Sequence, residues 1–152
     1  MKTSNSTSFR NHFSENVLIL NTYNHLSREE VFFQKVKQLI HTNIGNEQFS
    51  VELLAKQLHL SVSQLNRKLN QIINKPAGQL IRDMRMNHAT QLLLNNAASV
   101  GEIAYQVGYE NPTHFSRGFK RKFGCAPSEY SKIGMRKNGQ TMRKNGQRTE
   151  KA

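Results

Sequence analysis

This sequence sets down one pattern twice. Residues 50–76 read SVELLAKQLHLSVSQLNRKLNQIINKP, and residues 99–127 read SVGEIAYQVGYENPTHFSRGFKRKFGCAP. Ala55, Leu58 and Leu60 correspond to Ala104, Val107 and Tyr109 at an offset of 49. Leu65, Arg67, Leu69 and Ile73 correspond to Phe115, Arg117, Phe119 and Phe123 at an offset of 50. One residue has therefore been inserted in the turn of the second copy. Each copy has room for two short helices joined by a tight turn, the second carrying an outward arginine. That is the layout of a helix-turn-helix, whose second helix enters the DNA major groove. Two such units in tandem point to a monomer that reads two successive grooves.

Local signals place the remaining helices. Ser50 caps a helix over about 51–58, with Glu52 near its positive end. Ser61 and Gln64 form an S-x-x-Q capping box that starts a helix to about Ile73, with Leu65, Leu69, Ile72 and Ile73 inward. Pro76 opens a long helix carrying Leu80, Ile81, Met84, Ala89, Leu92 and Leu93, which stops at Asn95-Asn96. In the second copy Ser99 and Glu102 repeat the capping box, Gly108 takes the turn, and Asn111-Pro112 opens the next helix. Phe115, Phe119 and Phe123 recur every four residues, a spacing that makes them core and not a stacking platform. Gly124 ends that helix, and Pro127 starts a short last one through Tyr130. Upstream, Phe32, Val36, Leu39 and Ile40 mark an amphipathic helix over 28–43, closed by Gly45 and Asn46.

The expected fold is thus all-α: a seven-helix double helix-turn-helix domain over 29–131. Two three-helix, homeodomain-like units, with helix-turn-helix segments at about 50–74 and 99–124, are joined by a long central helix at about 77–95. Residues 1–28, rich in Ser, Asn and Thr, read as a flexible arm or linker. Residues 132–152 contain MRKNGQ twice and few large apolar residues, and read as a disordered basic tail.

The charge is unevenly spread. The net charge of +12 is zero over residues 1–30. It is +6 over 31–130, from 12 basic and 6 acidic groups, and +6 over 131–152, from 7 basic and 1 acidic. A basic core with a basic tail favours a polyanion, because neutralising phosphates releases counterions. Cys125 is the single cysteine, so neither an intramolecular disulfide nor a CxxC metal site is available. The longest apolar run, Val17 to Leu20, is too short to span a bilayer, and the N-terminus lacks the apolar stretch of a signal peptide. The expectation is a cytoplasmic, nucleoid-associated protein with no membrane partner.

The string Ala104-x-x-x-Gly108-Tyr109-x-Asn111-x-Thr113-x-Phe115-x-Arg117-x-Phe119-Lys120-Arg121-x-Phe123-Gly124-x-x-Pro127-x-x-Tyr130 resembles the signature of the AraC/XylS family of bacterial transcription regulators. The first unit and the joining stretch IRDMRMNHATQLL at 81–93 fit the same pattern, so the resemblance covers about 29–131. There are two departures: Ala126 stands where the family usually has Ser or Thr, and Ser131 where it usually has Arg. Losing a hydroxyl cap at 126 would weaken the last helix by about 1 kcal/mol. Family members often carry an effector-binding or dimerisation domain; residues 1–28 are too few to build one. The chain is also similar to the DNA-binding ends of hybrid two-component regulators, notably in EEVFFQKVKQLIHTNIGNEQFSVELLAKQLHLS.

The resemblance implies base contacts on the forward faces of the two recognition helices: Ser63, Asn66, Arg67 and Asn70 in the first, Thr113, His114, Ser116 and Arg117 in the second. Arg67 suits guanine O6 and N7, and Asn66 suits adenine N6 and N7. Phosphate contacts are expected from Ser50, Gln64, Lys75, Ser99, Lys120 and Arg121, with helix-opening N–H groups assisting at Ser50 to Glu52 and Ser99 to Gly101. Lys122 joins Lys120 and Arg121 as a phosphate or RNA polymerase contact, whereas Arg82 and Arg85 read as structural or backbone-contacting. Expected partners are double-stranded DNA and RNA polymerase, bound by a monomer that needs no cofactor or metal. No catalytic constellation is present: the six histidines are scattered, and neither a P-loop nor a nucleophile elbow occurs. Cys125 lies near Lys122 without the activating base and zinc ligands that an alkyl-transfer site needs. The competing reading is a polymerase- or regulator-interaction protein whose DNA contact is nonspecific and runs through the tail.

Overall fold

Each helix begins where a side chain takes up otherwise orphaned N–H groups. The structure, a computed structural model, describes residues 26–146, with side chains described through residue 136. Seven helices are described: α1 (Arg28–Thr42), α2 (Val51–Gln57), α3 (Val62–Ile73), α4 (Ala77–Leu94), α5 (Val100–Gln106), α6 (Pro112–Phe123) and α7 (Pro127–Gly146). No strand occurs among the described residues. The chain divides into two compact units, 1–36 and 37–152. Of the first, only residues 26–36 are described. They hold the start of α1, where Ser27 and Glu30 form a capping box at 3.1 and 2.6 Å that the sequence reading missed. The assignment of residues 1–25 to an arm falls outside the described residues.

The second unit holds the two tandem copies, and they match in backbone as well as sequence. Ser50 and Ser99 cap α2 and α5. His59 and Gly108, again 49 apart, both take positive φ in the turns, at 55° and 80°. Ser61 and Asn111 cap α3 and α6, and Asn74 and Gly124 both end those helices in the left-handed region. Offsets of 49 before the turn and 50 after it make Glu110 the inserted residue. His59 is exposed and tolerates its conformation, whereas Gly108 has no alternative. A Cβ there would lie 2.6 Å from the Ile44 carbonyl oxygen and 2.9 Å from the Arg85 guanidinium.

Burial follows the predicted stripes. In the first copy Leu54, Ala55, Leu65 and Leu69 are buried, together with Ala77, Leu80 and Ile81 of α4. In the second, Ile103, Ala104, Val107, Phe115 and Phe119 pack with Met86, Ala89 and Leu93 of α4, and Tyr109, Phe123 and Tyr130 close the edge. Phe119 meets Phe123 at 4.5 Å and Tyr130 at 5.4 Å between ring centroids. Phe115 and Phe119 are fully buried, worth about 1.5–3 kcal/mol each. The central helix therefore supplies one wall of each core, which fixes both units to one rod.

The last helix corrects the sequence reading. It does not stop at Tyr130 but continues to Gly146, so residues 132–146 of the expected disordered tail are helical. Residues 147–152 lie outside the described set. The stretch contains no proline, and its Lys, Arg and Met residues are good helix formers, set against three glycines and two asparagines. It is also held in place: a Cβ on buried Gly134 would meet the Leu94 carbonyl oxygen at 2.5 Å, so α7 lies directly on the end of α4. Both family departures lie in or beside this helix, and each residue has a hydrogen bond of its own. The Ala126 N–H donates to Glu129 Oε2 at 2.9 Å, and Ser131 Oγ donates to Asn96 Oδ1 at 2.7 Å.

Candidate nucleic-acid interface

Helix α3 buries Leu65 and Leu69 and turns Ser63, Gln64, Arg67 and Asn70 to solvent. Helix α6 buries Phe115 and Phe119 and exposes Thr113, His114 and Arg117, with Ser116 half-buried. Among the described residues neither Arg67 nor Arg117 has a hydrogen-bond or ion-pair partner. Both guanidiniums are thus free to present their donor forks outward. All eight base-reading candidates are exposed or half-buried.

Asn66 differs from the other seven in that its side chain already has a partner within the chain. Its Oδ1 accepts the Ala77 N–H at 2.9 Å, across the junction of α3 with α4. Pro76 provides α4 with no side-chain cap, so Asn66 satisfies that N–H from the preceding helix. A bidentate pair with adenine needs the same oxygen. In this structure Asn66 is a structural acceptor.

The phosphate candidates divide in the same way. Lys120 and Arg121 are exposed at the end of α6, with no partner among the described residues. Lys75, by contrast, is bound: its Nζ pairs with Asp83 Oδ2 at 2.9 Å. Lys122 pairs with Oδ1 of the same carboxylate, which also accepts from Gln79 Nε2 at 3.0 Å. Burial opposes ionisation of Asp83, but bonds from Lys122, Lys75 and Gln79 outweigh it and hold its pKa down to about 2. The caps are also occupied. Ser50 Oγ accepts from Leu53 N–H at 3.4 Å, and Gln64 Oε1 accepts from Ser61 N–H at 2.9 Å. Ser99 Oγ accepts from Glu102 N–H at 3.3 Å. The Ser99 N–H itself donates to Glu102 Oε2 at 2.8 Å. That bond and the Ser99 hydroxyl hold the exposed Glu102 carboxyl below its ordinary pKa.

Arg85 anchors the frame, as its structural reading anticipated. Its Nη2 donates to the Asn46 carbonyl at 2.7 Å and more weakly to that of Phe49 at 3.4 Å. The guanidinium also lies under Gly108, which ties the loop after α1 to the turn of the second copy. Burial lowers its pKa, and its Nε has no partner. Beside it burial pushes the Tyr109 hydroxyl up. A cleft of about 300 Å³ opens between α4 and α6, with Asp83, Met86, Tyr109, Gly118 and Arg121 in its walls. No group of three or more metal-ligating side chains occurs among the described residues. No described helix is long and apolar enough to cross a membrane.

Asp83 went unnoticed in the sequence, although one signal was there. It is the lone acidic residue between Glu52 and Glu102, amid Lys56, Arg67, Lys68, Lys75, Arg82 and Arg85.

Comparison with known proteins agrees with this architecture. Residues 54–133 match the family model of a helix-turn-helix domain. Histidine kinase P4 of Formosa agariphila is 34% identical over 104 residues, covering 68% of this chain and 8% of that protein. The transcriptional activator RhaR of Mannheimia succiniciproducens is 32% identical over 108 residues, covering 71% of this chain and 37% of that protein. The chain thus spans well under half the length of these curated relatives. The C-terminal domain of AraT, a response regulator from Geobacillus stearothermophilus, superimposes with a TM-score of 0.65 at 29% identity, over 70% of this chain and 88% of that one. The family-model match and the shared double helix-turn-helix fold lead to one assignment: the chain belongs to the AraC-type helix-turn-helix family of transcription-regulator DNA-binding domains.

Proposed function

We propose that this chain is a sequence-specific transcription regulator that sets α3 and α6 into successive major grooves of an asymmetric promoter site as a monomer. The observation that carries the reading is the pair of unpartnered, exposed arginines, Arg67 and Arg117, at matching positions of two unlike recognition helices. Around them, Ser63 and Asn70 on α3 and Thr113, His114 and Ser116 on α6 supply short polar groups for neighbouring base edges. Because the copies differ, the two halves of the site differ, unlike the palindrome of a symmetric dimer. Lys120 and Arg121, exposed beyond the base-reading face, take phosphates or an acidic surface of RNA polymerase. The place of action is the bacterial cytoplasm, on the nucleoid.

Selection of bound sequences from a random duplex pool at about 150 mM salt tests this, with wild type beside an Arg67→Ala, Arg117→Ala double variant. The expected result is two unlike submotifs about 10 base pairs apart, lost in the variant. Salt-sensitive binding without any enriched motif, unchanged in the variant, would overturn it and favour the interaction-protein reading.

A second reading concerns the setting of the domain. The likeness to histidine kinase P4 and to the C-terminal domain of the response regulator AraT supports a role as the DNA-binding output of a two-component regulator. In that setting phosphorylation elsewhere sets the affinity of the same two helices for DNA.

A further inference from the structure

We propose that Asp83 is the specificity-determining lock of this domain: one carboxylate that ties the ends of both recognition helices to the central helix, so that they meet DNA at one fixed separation. The proposal rests on the reading of α3 and α6 as base-reading helices. The link is direct. Asp83 Oδ2 takes the ammonium of Lys75, which lies just past the end of α3, at 2.9 Å. Its Oδ1 takes Lys122, the next-to-last residue of α6. The partners lie 8 and 39 residues away in the chain, so a single side chain joins three elements. Gln79, one turn earlier on α4, holds the carboxylate in place at 3.0 Å.

The lock occupies a place that apolar packing leaves open. Helix α6 packs on α5 and α7 and, through Phe115 and Phe119, on Met86, Ala89 and Leu93 of α4; beyond the seat of Met86 on Gly118 a cleft of about 300 Å³ opens between the end of α6 and α4. Across that cleft the Lys122–Asp83 pair sets how far the end of α6 stands from the rod. The Asp83 side chain is 13% exposed, against 51% for Lys75 and 29% for Lys122, so water reaches the two pairs mainly from the lysine side.

The same carboxylate has a second effect on specificity. It neutralises two lysines that would otherwise be available to phosphates. Each phosphate neutralised by a cation adds about 0.9 to the slope of log affinity against log salt, and that binding is blind to sequence. Asp83 therefore keeps two cations out of nonspecific binding while it fixes the spacing of the specific contacts.

The test uses the full chain with Asp83→Asn, which keeps the shape and removes the charge. Asp83→Glu is the conservative rescue, and Lys122→Gln cuts only the link to α6. Nitroxide labels at Gln71→Cys and His114→Cys, in a Cys125→Ser background, report the separation of α3 and α6 in the free protein by pulsed electron spin resonance. Wild type and Asp83→Glu should give one narrow distance distribution, and Asp83→Asn and Lys122→Gln a broad one. On duplexes whose submotifs are moved apart by one base pair, wild type should lose about tenfold in affinity, comparable to a mismatched base pair. Asp83→Asn should lose less than about threefold, and its salt slope on random duplex should steepen by up to about 2. An unchanged distance distribution in both Asp83→Asn and Lys122→Gln overturns the lock, whatever the DNA results. Should wild type itself prefer no sequence, the base-reading function fails, while the distance measurement still decides the lock. If Asp83→Asn does not fold, Lys122→Gln alone carries the comparison.

Discussion

Replacing Asn66 by alanine separates a structural role from a base-reading one. Its Oδ1 lies 2.9 Å from the Ala77 nitrogen, and Ala77 is fully buried. Pro76, immediately before, offers no side-chain cap, so the substitution leaves a buried N–H without an acceptor. An orphaned donor of this kind costs about 1–3 kcal/mol, and loss of a helix cap costs typically about 1 kcal/mol. A destabilisation of about 2 kcal/mol should lower Tm by about 10 °C in a domain of roughly 100 residues. Asn66→Asp keeps the acceptor and adds a negative charge at the N-terminus of α4, favourable by about 0.3–1 kcal/mol; it should melt at or above wild type. Urea titration at pH 7 measures the stabilities, and motif selection measures base preference. Asn66→Ala should bind the wild-type motif, with occupancy falling only as the folded fraction falls. The reasoning is refuted if Asn66→Ala is as stable as wild type while one position of the motif loses its base preference.

Two further outcomes follow from the geometry. Gly108 and Gly124 share a φ of 80°, but an added Cβ at 108 meets Ile44 and Arg85 whereas at 124 it meets nothing within 4 Å. Gly124→Ala should therefore cost about 1 kcal/mol, the left-handed penalty alone, and Gly108→Ala several kcal/mol more by urea denaturation, because backbone must also move. Asp83, with its pKa depressed from the ordinary 3.8 to about 2, contributes stability that is fully present above about pH 4 and lost as pH falls toward 2. Melting curves across that window should show an acid limb in wild type that is shallower in Asp83→Asn.

What the sequence made legible is whatever a few neighbouring residues decide. Ser50, Ser61, Ser99 and Asn111 cap helices because each oxygen reaches an N–H two or three residues ahead. Gly108 and Gly124 mark turns because the backbone there needs positive φ. The contacts that escaped notice join residues far apart in the chain: Asp83 with Lys122, Arg85 with the Asn46 and Phe49 carbonyls, and Gly134 with the end of α4. The last of these is why α7 was read too short: a stretch of Lys, Arg, Asn and Gly gives little sign of packing until the glycine that lets it approach α4 is located. Asn66 lies between the two cases, since the duplication itself carried the clue. At an offset of 50, Asn66 answers to Ser116 and Ala77 to Pro127. Proline has no N–H, so the second copy needs no acceptor at position 116, and the side chain there is short. The first copy has an N–H at 77 and an amide at 66 to receive it. Read as a pair, the two exchanges account for the Asn66 amide at the helix junction, where its oxygen receives the Ala77 N–H.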